Sequence, residues 1–386
     1  MTTLRRVQQQ RPVEGLGFVL RVWAAWRLGQ LLLGAVHGAD PIQAVFTLDG
    51  DWYRMVLEHG YSVHDPTFHL QENVAFFPGV VWLATPFAWL FGSFTAAHLT
   101  ATITSLGAFV GLHQVTKAVT DDAVAARRAV VVLAIWPTSV VMTAFYSEGL
   151  LIAATTSGIW ALRRGRPPAA AAAALVAGLT RSIGVLLGPA LAVGRVVATR
   201  RVDRVAVLYA ATGPVSLAAV AAVQQVTTGH ADGFVQAQRA WDRELAPPWT
   251  PVHEAVSAFA RAYSHGGAYL PWAIDLVVVA GIAAVLFGMT RRLWRERARE
   301  AEPAARAAWV ALVIWGWVAW YSALLTTTLT SATRFGLAAW PAFVAVGLAR
   351  SPGQRRAALV LAVGCYVLSV LVAAAWAHGR LNPLYT

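Results

Sequence analysis

The sequence is poor in charge for its length. Only 13% of its 386 residues are charged, whereas 57% are hydrophobic, so the apolar surface is too large to be buried in a water-soluble core. Apolar runs close to the ~20 residues that span a bilayer recur along the chain. This predicts an all-α polytopic membrane protein, taken as a single transmembrane domain over residues 1–386.

Cysteine and lysine are almost absent. The single Cys365 excludes an internal disulfide. Lys117 is the only lysine, and this arginine and alanine bias indicates a GC-rich bacterial genome. The net charge of +12 comes from short arginine clusters between apolar runs, which favours membrane topology over a nucleic-acid partner.

The charge distribution predicts the topology, because basic loops face the cytoplasm. The basic clusters are Arg5, Arg6 and Arg11; Lys117, Arg127 and Arg128; 163–166; 195–204; 291–299; and 350–356. The segment 37–75 carries six acids and only Arg54 as a fixed cation, so we assign it outside, together with a second long loop at about 227–268. The first apolar run, from about Gly15, is expected to be a retained span and not a signal peptide.

These constraints predict about eleven crossings. The predicted spans lie near 15–36, 95–116, 127–145, 149–162, 205–226, 269–289, 305–327, 335–349 and 357–377. Both flanks of 167–199 are basic, so this segment is expected to cross and return as two short helices with Arg181 at the tip. The segment 76–92 is predicted to start and end outside, either re-entrant or at the interface.

The first external loop contains a short amphipathic pattern from Gly50 to His59, which predicts a helix at the membrane surface with Asp49 at its N-terminal end. Asp49 or Asp51 could simply cap this helix. Alternatively, a carboxylate there could act as the general base for a hydroxyl nucleophile. One base suffices when phosphate is the leaving group of the sugar, whereas glycoside hydrolysis needs a second carboxyl group.

Five motifs in series resemble the PIG-V-like mannosyltransferases. They are "LDGDWYRMVLEHGY", "AFFPGVVWL", "WPTSVVMTAFYSEGLL", "AALVAGLTRSIGVLLGPAL" and "TSATRFGLAAWPAF", between Leu48 and Phe343. The resemblance implies a GT-C-type bundle and a polyprenyl-phosphate sugar donor, usually mannose, used with inversion. It places the catalytic aspartate at Asp49, with Asp51 as a substitute. The sequence departs from the family pattern at Leu48, Val81, Trp136 and Ile183.

Other residues are candidates for the substrate pocket. Arg181 and Arg334 are expected to bind the donor phosphate, although pairing with Glu148 would also explain them. Tyr53, Tyr146 and Glu148 are expected to shape the pocket, and His69 and Glu72 could contact substrate. His64, His69, His98 and Glu72 lack a metal-ligand spacing, so we expect no metal and no cofactor.

The sequence therefore predicts a glycosyltransferase of the bacterial plasma membrane, with its active site on the extracytoplasmic side and an acceptor that is a glycan, lipid or protein. A transporter or flippase of lipid-linked sugars is the alternative from another class, although no second copy of the 167–199 hairpin supports an inverted repeat. An arabinofuranosyl or glucosyl lipid donor also stays open.

Overall fold

Helices form nearly all of the fold. The computed structural model describes residues 15–36, 40, 43–241, 243–265, 270–297, 302–329, 331–349 and 351–377. Arg5, Arg6, Arg11, Arg299 and Arg350, which belong to the predicted basic clusters, lie outside the described residues. The α-helices are α1 Leu16–Val36, α2 Asp49–His59, α3 Gly79–Thr120, α4 Ala123–Ile135, α5 Glu148–Arg163, α6 Pro167–Thr180, α7 Leu187–Thr199, α8 Arg204–Thr228, α9 Gly233–Gln236, α10 Thr250–Ser264, α11 Leu270–Arg292, α12 Pro303–Ser322, α13 Ala332–Phe335, α14 Pro341–Gly347 and α15 Pro352–Ala377.

Within the described part of the chain, six helical segments are long and apolar enough to cross a bilayer. They are Leu16–Leu33, Gly79–Thr120, Ser182–Thr199, Arg204–Thr228, Trp272–Arg295 and Pro303–Ser322. The helix α6 is a shorter apolar helix. The predicted all-helical, multi-pass architecture is confirmed.

The predicted surface helix is present as α2. It ends at Gly60, whose φ of 78° lies in the left-handed region that glycine tolerates best. Tyr53 and Val56 are buried under the helix, while Asp51 and Glu58 are exposed. The helix is therefore amphipathic, and its buried face fixes the position of its first residue, Asp49.

The helix α3 is two helices joined at a kink. Gly92 has a φ of 80° and a ψ of 162°, which interrupts the helix. A straight helix of 42 residues would be ~63 Å long, about twice the ~30 Å hydrocarbon core. Val80 and Ala84 from the first limb share one buried cluster with Ala96 from the second and with Tyr53 of α2. The segment 76–92 therefore begins and ends near the same end of the bundle.

Two predicted spans are wrong in extent. The predicted span 127–145 is α-helical only to Ile135, because Pro137 disfavours helical geometry at the residue before it, and a 3₁₀ turn follows over Ser139–Thr143. Within the predicted span 335–349, the helix α13 ends at Phe335 and the helix α14 covers only Pro341–Gly347, with Pro341 as its first residue. Hydropathy alone does not reveal these breaks.

The hairpin predicted over 167–199 is formed by α6 and α7. A 3₁₀ turn over Ser182–Leu186 joins them, and Arg181 precedes it at the tip. A Cβ atom on Gly184 would lie 1.9 Å from the carbonyl oxygen of Ala177. Only glycine allows this close approach of the two limbs.

The helix α5 lies in the middle of the bundle. It packs against α3, α6, α7 and α12, and most of its residues are buried. Trp309, Trp315 and Trp340 are fully buried in the main hydrophobic cluster beside it. This packing fixes the first residue of α5, Glu148, which lies at the end of the bundle that carries α2.

Three loops that are distant in sequence meet at that end. The buried amide of Gln224 in α8 donates to the carbonyl of Val74 at 2.7 Å and accepts from the backbone N–H of Phe234 at 2.9 Å. The backbone N–H of Ala246 donates to the carbonyl of Leu325 at 3.0 Å. These bonds join the first long loop to the second, and the second to the threonine-rich loop after α12.

Candidate active site

Asp49, the first residue of α2, pairs with Arg334 on α13. The Nη1 atom of Arg334 donates to Oδ2 of Asp49 at 2.5 Å. The side chain of Asp49 is 24% exposed and that of Arg334 is 17% exposed. The carboxylate is therefore held in place and can still be reached by another molecule.

Glu148 joins the two predicted phosphate-binding arginines. Its carboxylate is buried, accepts a hydrogen bond from Nη1 of Arg181, and lies 3.5 Å from Nε of Arg334. Because buried charges need partners, Glu148 keeps both arginines in the site. Opposite charges alternate from Asp49 through Arg334 and Glu148 to Arg181.

A third arginine, Arg243 of the second long loop, completes the cluster. The Cζ atoms of Arg243, Arg181 and Arg334 lie 4.5, 4.9 and 5.5 Å from the ring centroid of Phe335, within cation–π range. Burial, followed by the charges of Arg334 and Arg181, lowers the pKa of Arg243 to about 9. Like charges held this close favour the binding of an anion between them.

Two buried tyrosines support the site. The hydroxyl of Tyr146 accepts from the backbone N–H of Asp49 at 3.0 Å and donates to the carbonyl of Thr47 at 3.3 Å, so it fixes the start of α2. Tyr53 is buried on the inner face of α2. Burial raises the pKa of both tyrosines, which keeps them neutral.

Three predicted pocket residues lie apart from these contacts. The carboxylate of Asp51 pairs with Arg54 at 3.0 Å, with both side chains about half exposed. His69 is exposed. Glu72 is buried, and its carboxylate accepts the backbone N–H groups of His64 and Asp65 at 2.9 and 2.7 Å. Glu72 therefore shapes the first long loop from within.

One of the histidines considered as metal ligands contacts an acid. His64 Nδ1 lies 3.3 Å from Glu72. Across the part of the chain that the structure describes, no three His, Cys, Asp or Glu side chains come together in a way that could hold a metal ion.

Arg243 and Phe335 are absent from the sequence-based set of site residues. A signal for Arg243 exists in "QAQRAWDREL", because the positive-inside rule does not explain arginines in a loop assigned to the outside. Nothing in the sequence shows that this loop folds back onto Phe335. Its position depends on the long-range bonds of Gln224 and Ala246 described above.

A group of half-buried aromatic rings lies one helical turn from Asp49. Trp52 stacks on Phe76 with ring centroids 6.0 Å apart. Trp241 contacts both rings edge-on, at 5.9 and 5.8 Å. The helix α2 thus carries both Asp49, which contacts the arginine cluster, and Trp52, which belongs to this aromatic group.

The fold is similar to that of a protein whose crystal structure is known. The crystal structure of ArnT from Cupriavidus metallidurans bound to undecaprenyl phosphate matches with a TM-score of 0.50 and 17% sequence identity, over 95% of this chain and 76% of the ArnT chain. At this identity the similarity shows the fold alone, and the predicted GT-C-type fold is confirmed. No protein-family model matches the sequence, nor does any curated protein.

Proposed function

We propose that this protein is a membrane glycosyltransferase that transfers a sugar from a polyprenyl-phosphate donor to an acceptor hydroxyl. The observation that supports this best is the meeting of one reachable carboxylate, Asp49, with the guanidinium groups of Arg334, Arg181 and Arg243. A carboxylate beside a cluster of arginines suits a reaction in which the carboxylate acts as the base and the arginines bind the phosphate leaving group. ArnT, which shares the fold, was crystallised with undecaprenyl phosphate.

In the proposed reaction, Asp49 accepts the proton of the acceptor hydroxyl, and the hydroxyl oxygen attacks the anomeric carbon. The bond between that carbon and the phosphate oxygen breaks, and the phosphate keeps the electron pair. The arginines stabilise the negative charge that develops on the phosphate. A single displacement of this kind inverts the anomeric carbon.

The family resemblance of the five motifs supports mannose as the donated sugar and an α-mannoside as the product. The acid-rich loops around the site support an active site on the extracytoplasmic side of the plasma membrane. The isoprenoid tail of the donor would lie against the apolar helices, which accounts for a catalytic site built into a membrane bundle.

The test is transfer by the purified protein in lipid nanodiscs, with polyprenyl-phosphate mannose as donor and a set of glycan, lipid and peptide acceptors. Glucosyl and arabinofuranosyl lipids serve as parallel donors. We expect Asp49→Asn to lower the transfer rate by roughly 10²- to 10⁴-fold, the usual contribution of a general base, while donor binding persists.

Asp51→Asn is the matched control, because Asp51 is an acid on the same helix that pairs with Arg54 at the surface. It should retain transfer within about twofold. Full activity of Asp49→Asn would refute the role of this carboxylate. Movement of intact lipid across the membrane without transfer would instead indicate a flippase.

A further inference from the structure

An acidic side chain outside the site lies buried in a membrane-spanning helix. Asp275 belongs to α11, within the apolar segment Trp272–Arg295, and is only 3% exposed. An ionisable group in such a segment is costly and is rarely present without a function. Its carboxylate accepts a hydrogen bond from the backbone N–H of Thr333, the residue before Arg334.

The carbonyl of the same residue, Thr333, is held from a different part of the chain. The indole Nε1 of Trp136 donates to it at 2.8 Å, and the hydroxyl of Thr138 donates to it at 2.9 Å. Trp136, Thr138 and Thr333 are all buried. Buried hydrogen bonds of this kind are strong in a low dielectric and costly to leave half made.

The backbone beyond Arg334 is also restrained. A Cβ atom on Gly336 would lie 2.7 Å from the indole ring of Trp136, so the ring packs directly against the chain two residues after Arg334. The helix α11 packs against α13 as well. Asp275, Trp136 and Thr138 therefore fix the backbone at Thr333, before Arg334. Trp136 also fixes the backbone at Gly336, after Arg334.

We infer that Asp275, Trp136 and Thr138 are positioning residues, which hold the Thr333 backbone so that the guanidinium of Arg334 faces Asp49 and the donor phosphate. Arginine is long and loses much conformational freedom when it is fixed, so an immobile backbone lowers the cost of presenting it. A displacement of about 1 Å at such a group can cost ~100-fold in rate. This inference rests on the proposed function of Arg334.

The test compares variants that keep or remove each hydrogen bond in the full-length protein. Asp275→Asn keeps an oxygen that can accept the Thr333 N–H, whereas Asp275→Leu removes it. Trp136→Phe removes the indole donor. Trp340→Phe is the matched control, because it also removes a buried indole hydrogen bond, to Thr155 at 2.9 Å, but does not touch Thr333.

The readouts are affinity for undecaprenyl phosphate, the transfer rate, and the melting temperature in detergent. We expect Asp275→Leu and Trp136→Phe to weaken phosphate affinity and transfer by on the order of 10-fold or more. Asp275→Asn and Trp340→Phe should stay near wild type in both. In an Arg334→Ala background, Asp275→Leu should have no further effect, because both changes remove the same interaction.

Two results would overturn the inference. One is wild-type affinity and transfer in both Asp275→Leu and Trp136→Phe. The other is an additive loss when Asp275→Leu is combined with Arg334→Ala, which would mean that Asp275 supports the fold in general. If Arg334→Ala itself leaves affinity and transfer unchanged, then the proposed function of Arg334 fails instead.

Discussion

At the scale of single residues, the site is defined by an imbalance of charge. The guanidinium groups of Arg334, Arg181 and Arg243 meet around Phe335, and the carboxylates of Asp49 and Glu148 pair with Arg334 and Arg181. Three positive charges thus lie beside two paired negative charges. A phosphodiester, such as a lipid-linked sugar phosphate, carries one negative charge and would neutralise the third positive charge.

The lowered pKa of Arg243 leads to a pH prediction. The free site binds the anion best while Arg243 is protonated. Arg243 is protonated when the pH lies below its pKa of about 9. As pH rises through about 9, Arg243 loses its proton, and the affinity for a phosphodiester donor should fall to that of a site held by Arg334 and Arg181 alone. The measurement is donor binding as a function of pH, because the charge of a phosphodiester does not change in this range.

Arg243→Gln provides the comparison for that prediction. This variant should bind the donor more weakly at neutral pH and should show no fall in affinity near the pKa of the lost group. If the donor affinity of Arg243→Gln still falls at alkaline pH, another group titrates there. The charge of Arg243 would then not be the cause of the pH dependence.

The sequence predicts the acids and arginines that pair in the site, but it does not predict every residue of the site. Asp49, Arg181, Arg334 and Glu148 lie in motifs with a recognisable order, and the structure brings all four together. Arg243 lies in a loop without a motif, so only the fold reveals it. Trp136 is conspicuous in sequence as a departure from the family pattern, and the structure shows that its indole holds the backbone next to Arg334.

At the scale of helices and turns, the sequence predicts an element well where hydropathy and local geometry agree. Gly60 ends α2, and the basic flanks of 167–199 gave the hairpin correctly. Prediction failed where hydropathy and local geometry disagreed, as at Pro137 and Pro341, because an apolar run continues through each proline while the helix does not. The kink at Gly92, by contrast, coincides with the predicted boundary between the segment 76–92 and the span 95–116.

The hairpin gives a prediction at this scale. Gly184→Ala would place a Cβ atom against the backbone carbonyl of Ala177, and backbone cannot move aside as a flexible side chain can. We expect a destabilisation of about 1–3 kcal/mol or more, with weaker donor binding because Arg181 at the tip is displaced. Thermal unfolding and donor binding in detergent are the measurements.

Gly281→Ala is the control for the hairpin variant, since nothing lies within 4 Å of a Cβ at that position of α11. Alanine there should be neutral or slightly stabilising, as expected for a helix interior. Equal behaviour of the two variants would show that the close approach at Gly184 does not hold the hairpin together.

At the scale of the whole molecule, the site exists because distant segments meet at one end of the bundle. The helix α5 connects the two ends: Glu148 starts it within the site, and Arg163 ends it ~23 Å away at 1.5 Å per residue. Arg163 donates there to the carbonyl of Ala118 at 3.0 Å and pairs with Glu302 at 2.7 Å. An acidic, aromatic end and a basic end thus face opposite sides.

That polarity predicts which residues are accessible from outside the cell. In a Cys365→Ala background, which removes the only native thiol, His59→Cys lies at the exposed end of α2 near the site and Arg164→Cys lies at the exposed far end of α5. A membrane-impermeant maleimide applied to intact cells should label His59→Cys and leave Arg164→Cys unlabelled, because basic loops are retained in the cytoplasm. Lysed cells should label both variants. The reverse pattern in intact cells would place Asp49 on the cytoplasmic side and would require a donor whose sugar phosphate faces the cytosol.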